Sequence, residues 1–458
     1  MLVKPERIVD REREWTALAR FIEERGRLAL LYGPRRVGKS FLLEGLSEAT
    51  GGVRYQAIAG IRGTQLADFG SALGDWLGAG PLRIDSWADA FARVARLALP
   101  FLAIDELPYL LEPAPELPSV LQRYVDSAAG PPLILSGSAL SVMSELAGAH
   151  APLYGRAAAM IVPGCLVGRD LAALWGTDDP LSLLWIDSAL GGLPGYRATV
   201  RPPRGDLDAW MVDDVLHPGS ALLDAAQADL AELPAPMALR GTYRAILSVI
   251  ASGEHSFGAI ARVAGIPSGA LSRPLRALER AGLVSRTEDV LRARRDRYAL
   301  ADAHLRFWLA VIEPNRSVLA AGGATSLWPR LASTTWRSQV LGPRWEEIVR
   351  EHLRRGAEER IGSPDVVGGT SVSERAGRRR HELDVVALRE GRVIAIGEAK
   401  LRRLDARDLE RLLHLRELLG APEAEIVLAS ATGFAQELER NPALTMVDPA
   451  RVYGISAP

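Results

Sequence analysis

The residues best suited to chemistry fall in two places. The first is Gly33-Pro34-Arg35-Arg36-Val37-Gly38-Lys39-Ser40-Phe41, a glycine-bounded loop ending in a lysine and a hydroxyl. Backbone N–H groups of such a loop point at an anion, and Gly33 and Gly38 allow the close turn that a Cβ would block. Lys39 would reach the β- and γ-phosphates of a nucleoside triphosphate and Ser40 would hold its Mg²⁺. Downstream, Asp105 and Glu106 form an adjacent carboxylate pair, the first for the Mg²⁺ shell and the second to orient and deprotonate a water. Ser136 and Ser138 are candidates to sense the phosphate or the water, or else cap the helix near Ser141. Arg156 is either a transition-state arginine, in its own subunit or a neighbour's, or a structural bond to a loop carbonyl.

The second place is C-terminal. Asp384 is followed at a spacing of D-x(13)-E-x-K by Glu398 and Lys400. Asp384 and Glu398 could hold one or two Mg²⁺ ions, which polarise a phosphodiester and acidify a bound water. Lys400 would stabilise the hydroxide or the pentavalent phosphorus, and Glu346 could add a carboxylate to the metal shell.

These residues need positioning elements, and the pattern supplies them. Leu28–Tyr32 is an apolar run of strand length leading into the glycine loop, and Phe41–Leu46 continues as an apolar-periodic helix. A helix opening over Ile8–Trp15 and continuing through Ile22 precedes the run, and Gly52–Ile58 reads as a second strand. The runs Leu99–Ile104 and Pro132–Leu135 are buried strands whose C-terminal ends carry the carboxylates and the serines. In a parallel sheet those ends converge on one ligand. Another short strand is expected over Ala158–Val162, and helices lead to Gly191-Gly192-Leu193-Pro194. Helical sequence from Asp206 to Leu233 ends at a proline-rich break, Leu233–Pro236.

From Gly241 three short helices and a hairpin read as a winged helix-turn-helix, with Arg292–Arg297 as a charged loop. The third helix carries Ser268, Ser272, Arg273 and Arg276 near its start, where a recognition helix meets DNA. The competing reading is a module that packs on the rest of the protein and touches no DNA. A helical connector follows to about Val340. Three strands around Asp365–Gly368, Glu382–Leu388 and Arg392–Lys400 then form a small mixed sheet, with a Leu-rich helix and the strand Glu425–Ser430 after them. Glu398 and Lys400 share one face of their strand. The expected division is 1–165, 166–235, 236–301, 302–340 and 341–458.

Length and composition agree with several globular domains. The 458 residues are 48% apolar and 24% charged, and 55 Lys and Arg balance 56 Asp and Glu. Any nucleic-acid surface must therefore be local. The single Cys165 excludes a disulfide framework and a cysteine zinc cluster. Without a signal peptide or a bilayer-length apolar run, the expectation is a soluble, cytoplasmic protein with no membrane partner.

Taken together, these motifs resemble the prokaryotic archaeal-type P-loop ATPases of the AAA+/STAND superfamily, in the branch with a C-terminal restriction-endonuclease-like domain. Arg11-Glu12-Arg13-Glu14 is similar to the motif ahead of the P-loop that contacts the adenine side, with Asp10 in place of the usual glycine. Gly192-Leu193-Pro194 resembles the lid motif that contacts the base, Ser136-Gly137-Ser138 the sensor strand, and Leu153–Arg156 the arginine motif. Tyr298–Asp302 with Phe307-Trp308 resembles the segment joining winged helix to nuclease-like domain. Trp345-Glu346, Glu382-Leu383-Asp384 and Glu398-Ala399-Lys400 fit the PD-(D/E)xK pattern, with Glu-Leu-Asp standing for Pro-Asp. The resemblance implies an α/β multidomain chain: a P-loop AAA+ type parallel sheet with helical lid, a winged helix, and an α/β nuclease-like domain. It implies ATP, ADP and Mg²⁺ as ligands, DNA as a partner and a homo-oligomer. A signalling scaffold or transcription regulator that binds without cutting is the alternative.

Overall fold

A computed structural model describes residues 2–138, 140–149, 151–231, 237–373 and 380–455. The expected break at Leu233–Pro236 lies outside the described residues. Contacts divide the chain into two compact units, Met1–Leu166 with Leu193–Gly195 and Arg280–Gly282, and Val167–Gly192 with Tyr196–Glu279 and Leu283–Pro458.

In the first unit, strands β1 (Leu28–Tyr32), β2 (Val53–Gln56), β3 (Leu102–Asp105), β4 (Leu133–Gly137) and β5 (Ala159–Ile161) form a parallel sheet in the order β2-β3-β4-β1-β5. Their continuous apolar runs follow from burial on both faces. Leu28, Leu30, Leu102, Ile104, Leu133 and Leu135 enter one core, while Ala29, Leu31, Phe101, Ala103 and Ile134 enter the other. Register pairs Tyr32 with Gly137 and Ile104 with Leu135, so the chemically loaded ends of β1, β3 and β4 finish level.

The second unit contains the helix Pro180–Leu190 and, further along, the helices Met237–Ala251, Phe257–Val263 and Ser268–Arg280. Strands β6 (Val284–Asp289) and β7 (Arg292–Leu300) then pair antiparallel. The turn is at Val290-Leu291, so Arg292–Arg297, expected as a loop, is strand: Arg297 pairs with Thr287 and Asp296 with Glu288. Hairpin pairing overrides the weak strand preference of so many charges. The turn lies against the outermost strand of the next sheet: Thr370 donates to Asp289 at 2.6 Å with both residues buried, and Arg292 reaches Ser373.

That next sheet contains β8 (Val366–Ser373), β9 (Arg380–Arg389), β10 (Arg392–Lys400), β11 (Glu425–Ser430) and β12 (Thr445–Val447), ordered β12-β11-β10-β9-β8. β8, β9 and β10 pair antiparallel, and β10, β11 and β12 parallel. The sequence reading missed β12 and the closing helix Pro449–Tyr453. The helices Gly342–Arg354 and Ala406–Leu418 pack beside this sheet, the first through Trp345, Ile348, Val349 and Leu353.

One feature of this unit is a buried chain of charges. Arg344 donates twice to Asp187 Oδ1, at 3.1 and 2.8 Å, and Tyr453 Oη meets Oδ2 at 3.2 Å. Arg344 and Arg306 both bond Glu347. Burial raises the Glu347 carboxyl, but the charges of Arg306 and Arg344 outweigh it and hold the group below its ordinary value. No described helix is long and apolar enough to cross a membrane.

Candidate functional site

In the first unit, the segment Gly33–Gly38 turns between β1 and the helix Lys39–Thr50. Gly38 has φ of 100° and Arg36 has 65°, so the loop uses left-handed backbone on both sides of Val37. No side chain caps the helix, and its first turn carries no acid, which leaves the dipole's positive end for an anion. Lys39 is buried, and Nζ donates to the carbonyls of Gly33 and Pro34 at 2.8 and 2.9 Å. Burial pulls its ammonium below the usual value, and the charges of Glu106 and Asp105 work against that.

Asp105 is fully buried at the end of β3. Its Oδ2 accepts from Nε and Nη2 of Arg54 at 3.2 and 3.0 Å, while Oδ1 is buried with no hydrogen-bond partner. A buried carboxylate oxygen left over in this way is the acceptor expected for a magnesium-bound water. Glu106 has φ of 56°, a left-handed conformation that costs a non-glycine residue about 1–2 kcal/mol and turns the chain sharply after the strand. Ser138 holds it, with Oγ donating to Oε2 at 2.8 Å and the backbone N–H at 3.3 Å. Ser136 Oγ is buried without a partner.

The remaining candidates of this unit are placed as follows. Arg11 is buried and donates to the Val37 carbonyl at 3.0 Å, bracing the loop from below, while Glu12 turns outward to Lys4. Arg156 is engaged by both oxygens of Asp126, at 2.6 and 2.9 Å. Phe41 is on the surface under the Arg7 guanidinium. Pro194 lies beside the loop because the Gly195 N–H donates to the Arg36 carbonyl at 3.0 Å. A Cβ on Gly195 would stand 2.7 Å from the Arg36 Cβ and 3.1 Å from its Cα, so only glycine fits. Sequence reasoning missed Arg54 and Gly195. Gly195 directly follows the noted Gly-x-Pro, whereas an arginine two residues into an edge strand gives no signal.

In the second unit, Asp384, Glu398, Lys400 and Glu346 are brought to one place. Lys400 Nζ is 2.7 Å from Asp384 Oδ2 and 3.8 Å from Glu398 Oε1. The Ala399 N–H also donates to Asp384 Oδ2, at 3.1 Å. Two unforeseen arginines complete the set. Arg350 donates to Glu346 at 2.6 Å and to the Asp384 carbonyl at 2.7 Å. Arg411 pairs with Glu398 and donates to the Glu382 carbonyl at 2.8 Å. Burial and the Asp384 charge push the Glu346 carboxyl up to about 7. Among the described residues no three His, Cys, Asp or Glu side chains are already disposed as a metal cluster. The donor types nevertheless suit a hard divalent cation.

On the helix Ser268–Arg280, Leu271, Pro274, Leu275 and Leu278 are buried, and Ser268, Ser272, Arg273 and Arg276 are exposed. The face expected to meet DNA is therefore open on its own module.

Comparison with known proteins follows this layout. The profile of a family described as "Helix-turn-helix domain" matches residues 240–287, and that of a family described as "Archaea bacterial proteins of unknown function" matches residues 308–412. An uncharacterized protein of Methanocaldococcus jannaschii is 26% identical over 357 residues, 75% of this chain and 77% of that one. Among solved structures, the Walker-type ATPase of Pyrococcus abyssi superposes with a TM-score of 0.50 at 22% identity, covering 68% of this chain and 99% of its own. The ORC2 protein of Aeropyrum pernix gives 0.44 at 14% identity, over 70% and 99%. The first likeness shows a shared fold over two-thirds of the chain.

Proposed function

We propose that the first unit binds ATP with Mg²⁺ and hydrolyses it. The observation that carries this reading is the convergence of Lys39, Asp105 and Glu106 at the level ends of β1 and β3, the two strands that flank β4, with Asp105 Oδ1 buried and unmatched. Bound Mg²⁺ supplies charge neutralisation across the β- and γ-phosphates. The chain's own groups do the rest. Loop N–H groups and the helix N-terminus cradle the phosphates, Lys39 exchanges its two carbonyl partners for phosphate oxygens, and Ser40 would hold the metal. Glu106 accepts the proton of the water that attacks the γ-phosphorus, while the bond from that phosphorus to the β–γ bridging oxygen breaks and ADP leaves. Ser138 fixes the aim of Glu106 through Oε2. Arg11 and Pro194 act on the loop from its two sides, and Ser136 is a second hydroxyl within reach of the strand ends. Arg156 serves as a transition-state arginine only after leaving Asp126.

In the same reading, nucleotide state governs the second unit, where the exposed arginines of the recognition helix contact DNA and the site around Asp384, Glu398 and Lys400 cuts a phosphodiester with divalent metal. The second reading, binding without cleavage, is favoured by one observation: Lys400, Arg350 and Arg411 already match the three carboxylates charge for charge. Calorimetry of wild type and Lys39→Ala with ATP, and with GTP, in magnesium buffer tests the core claim. Binding weakened about ten- to hundredfold by the substitution is expected. No heat from wild type with either nucleotide overturns the assignment.

A further inference from the structure

We propose that Arg411 is a phosphate-operated latch on the C-terminal site. It occupies Glu398 while no polyanion is bound and transfers to a backbone phosphate when nucleic acid arrives, freeing Glu398 for a divalent cation. The proposal rests on reading this sheet as a nucleic-acid-acting site. Its warrant is the asymmetry of the contacts. Glu398 is 3% exposed and can take little help from water, yet its guanidinium partner comes from the surface helix Ala406–Leu418, and the Arg411 side chain is 35% exposed. The same guanidinium donates through Nη2 to the Glu382 carbonyl, two residues before Asp384, so it sits between the two carboxylate-bearing strands. A planar fork already reaching across the site is the geometry that suits a phosphodiester.

Lys400 cannot play this part. It lies on the same strand as Glu398 and is held by Asp384 at 2.7 Å, whereas Glu398 is 3.8 Å away. Arg350 cannot either, because its Nε is committed to the Asp384 backbone carbonyl at 2.7 Å and holds Glu346 from its own helix, four residues apart. Of the three cations at this site, Arg411 is the one that pairs a buried carboxylate with a side chain that has room to swing outward. While it stays, a cation at Glu398 meets a positive charge already in place, and metal affinity is low. A phosphate offers the guanidinium two oxygens, and the arriving cation takes over the charge of Glu398 that Arg411 gives up.

Mn²⁺ binding to the full chain without nucleotide, followed by the electron-paramagnetic signal of the free ion, tests this. The arms are wild type, Arg411→Gln, Arg411→Lys and Asp384→Asn, each alone and with the same DNA duplex. The proposal expects Arg411→Gln alone to bind Mn²⁺ about ten- to hundredfold more tightly than wild type alone, the range set by losing one charge-assisted competitor. It expects the duplex to confer a similar gain on wild type, measured as the difference from Asp384→Asn with the same duplex. Arg411→Lys, which keeps the charge on a shorter reach, serves if the Gln variant misfolds and is expected to fall between the two. Tight binding by wild type alone that Asp384→Asn abolishes, unchanged by Arg411→Gln and by DNA, overturns the latch and leaves the metal site standing. Absence of any Asp384-dependent Mn²⁺ binding, even in Arg411→Gln with DNA, overturns the reading of the site itself.

Discussion

Replacing Asp187 by alanine tests whether the buried charges of the second unit are balanced as a set. The Asp187 carboxylate is 2% exposed and takes two bonds from Arg344 and one from Tyr453. Without it, Arg344 keeps its bond to Glu347, which Arg306 also bonds, so the two guanidinium groups lose one of the two carboxylates that bond them in a site of low exposure. Breaking a buried pair from one side costs about 3–5 kcal/mol. Most of that is the penalty of the stranded charge, so removing the arginine as well should return much of it. Arg344→Met in the Asp187→Ala background leaves Arg306 matched one to one with Glu347. Tyr453→Phe removes one donor and should cost about 0.5–1.5 kcal/mol. Hydrogen exchange of peptides from Pro180–Leu190, Gly342–Arg354 and Pro449–Tyr453 reads these values locally. The Asp187→Ala loss corresponds to about two to three and a half decades of protection. A single variant that loses less than one decade, or a double variant no better protected than Asp187→Ala, refutes the reasoning.

Four further outcomes are expected. Glu106→Gln should keep ATP affinity within a few-fold and slow phosphate release by about 10²–10⁴, measured by calorimetry and single-turnover assay. Gly195→Ala should cost about 1–3 kcal/mol in overpacking against Arg36 and weaken nucleotide binding, read by calorimetry. Acid should also destabilise the second unit through Glu347 and Glu358; burial raises Glu358, but hydrogen bonds from His352 and Arg451 lower it further, as Arg306 and Arg344 do for Glu347. Their stabilisation is complete above about pH 4.3, the unfolded Glu value, and is lost as pH falls through the lowered native values. Glu346 has the opposite sign. Its native value of about 7 means stability falls as pH rises from the unfolded value towards 7, and Glu346→Gln should remove that slope in urea titrations.

The parallel sheet was legible because strands buried on both faces must be apolar throughout, and β1, β3 and β4 are. The loop around Lys39 was legible because glycine, lysine and serine at fixed spacing have one strong physical reading. The charged hairpin was misread as strand-loop-strand, since Arg292–Arg297 lacks strand composition and only pairing with β6 makes it strand. Three residues of β12 are too few to show a period. Asp187 sits in an otherwise apolar helix, and its partners, Arg344 and Tyr453, are 157 and 266 residues away in sequence. Arg350 and Arg411 were not singled out, because their contacts to Asp384, Glu398 and Glu382 reach across to the strands and leave no trace in local spacing.

The hairpin turn that rests on β8 also covers that strand's border. An outermost strand presents unpaired amides and carbonyls to any similar strand it meets, which invites chains to anneal into aggregates. With Asp289 seated on Thr370 and Val290 packed into the core beneath, that border is guarded by the chain's own hairpin. A version shortened across Val290-Leu291 should leave the border bare and the protein prone to self-association at concentrations where the intact chain stays dispersed.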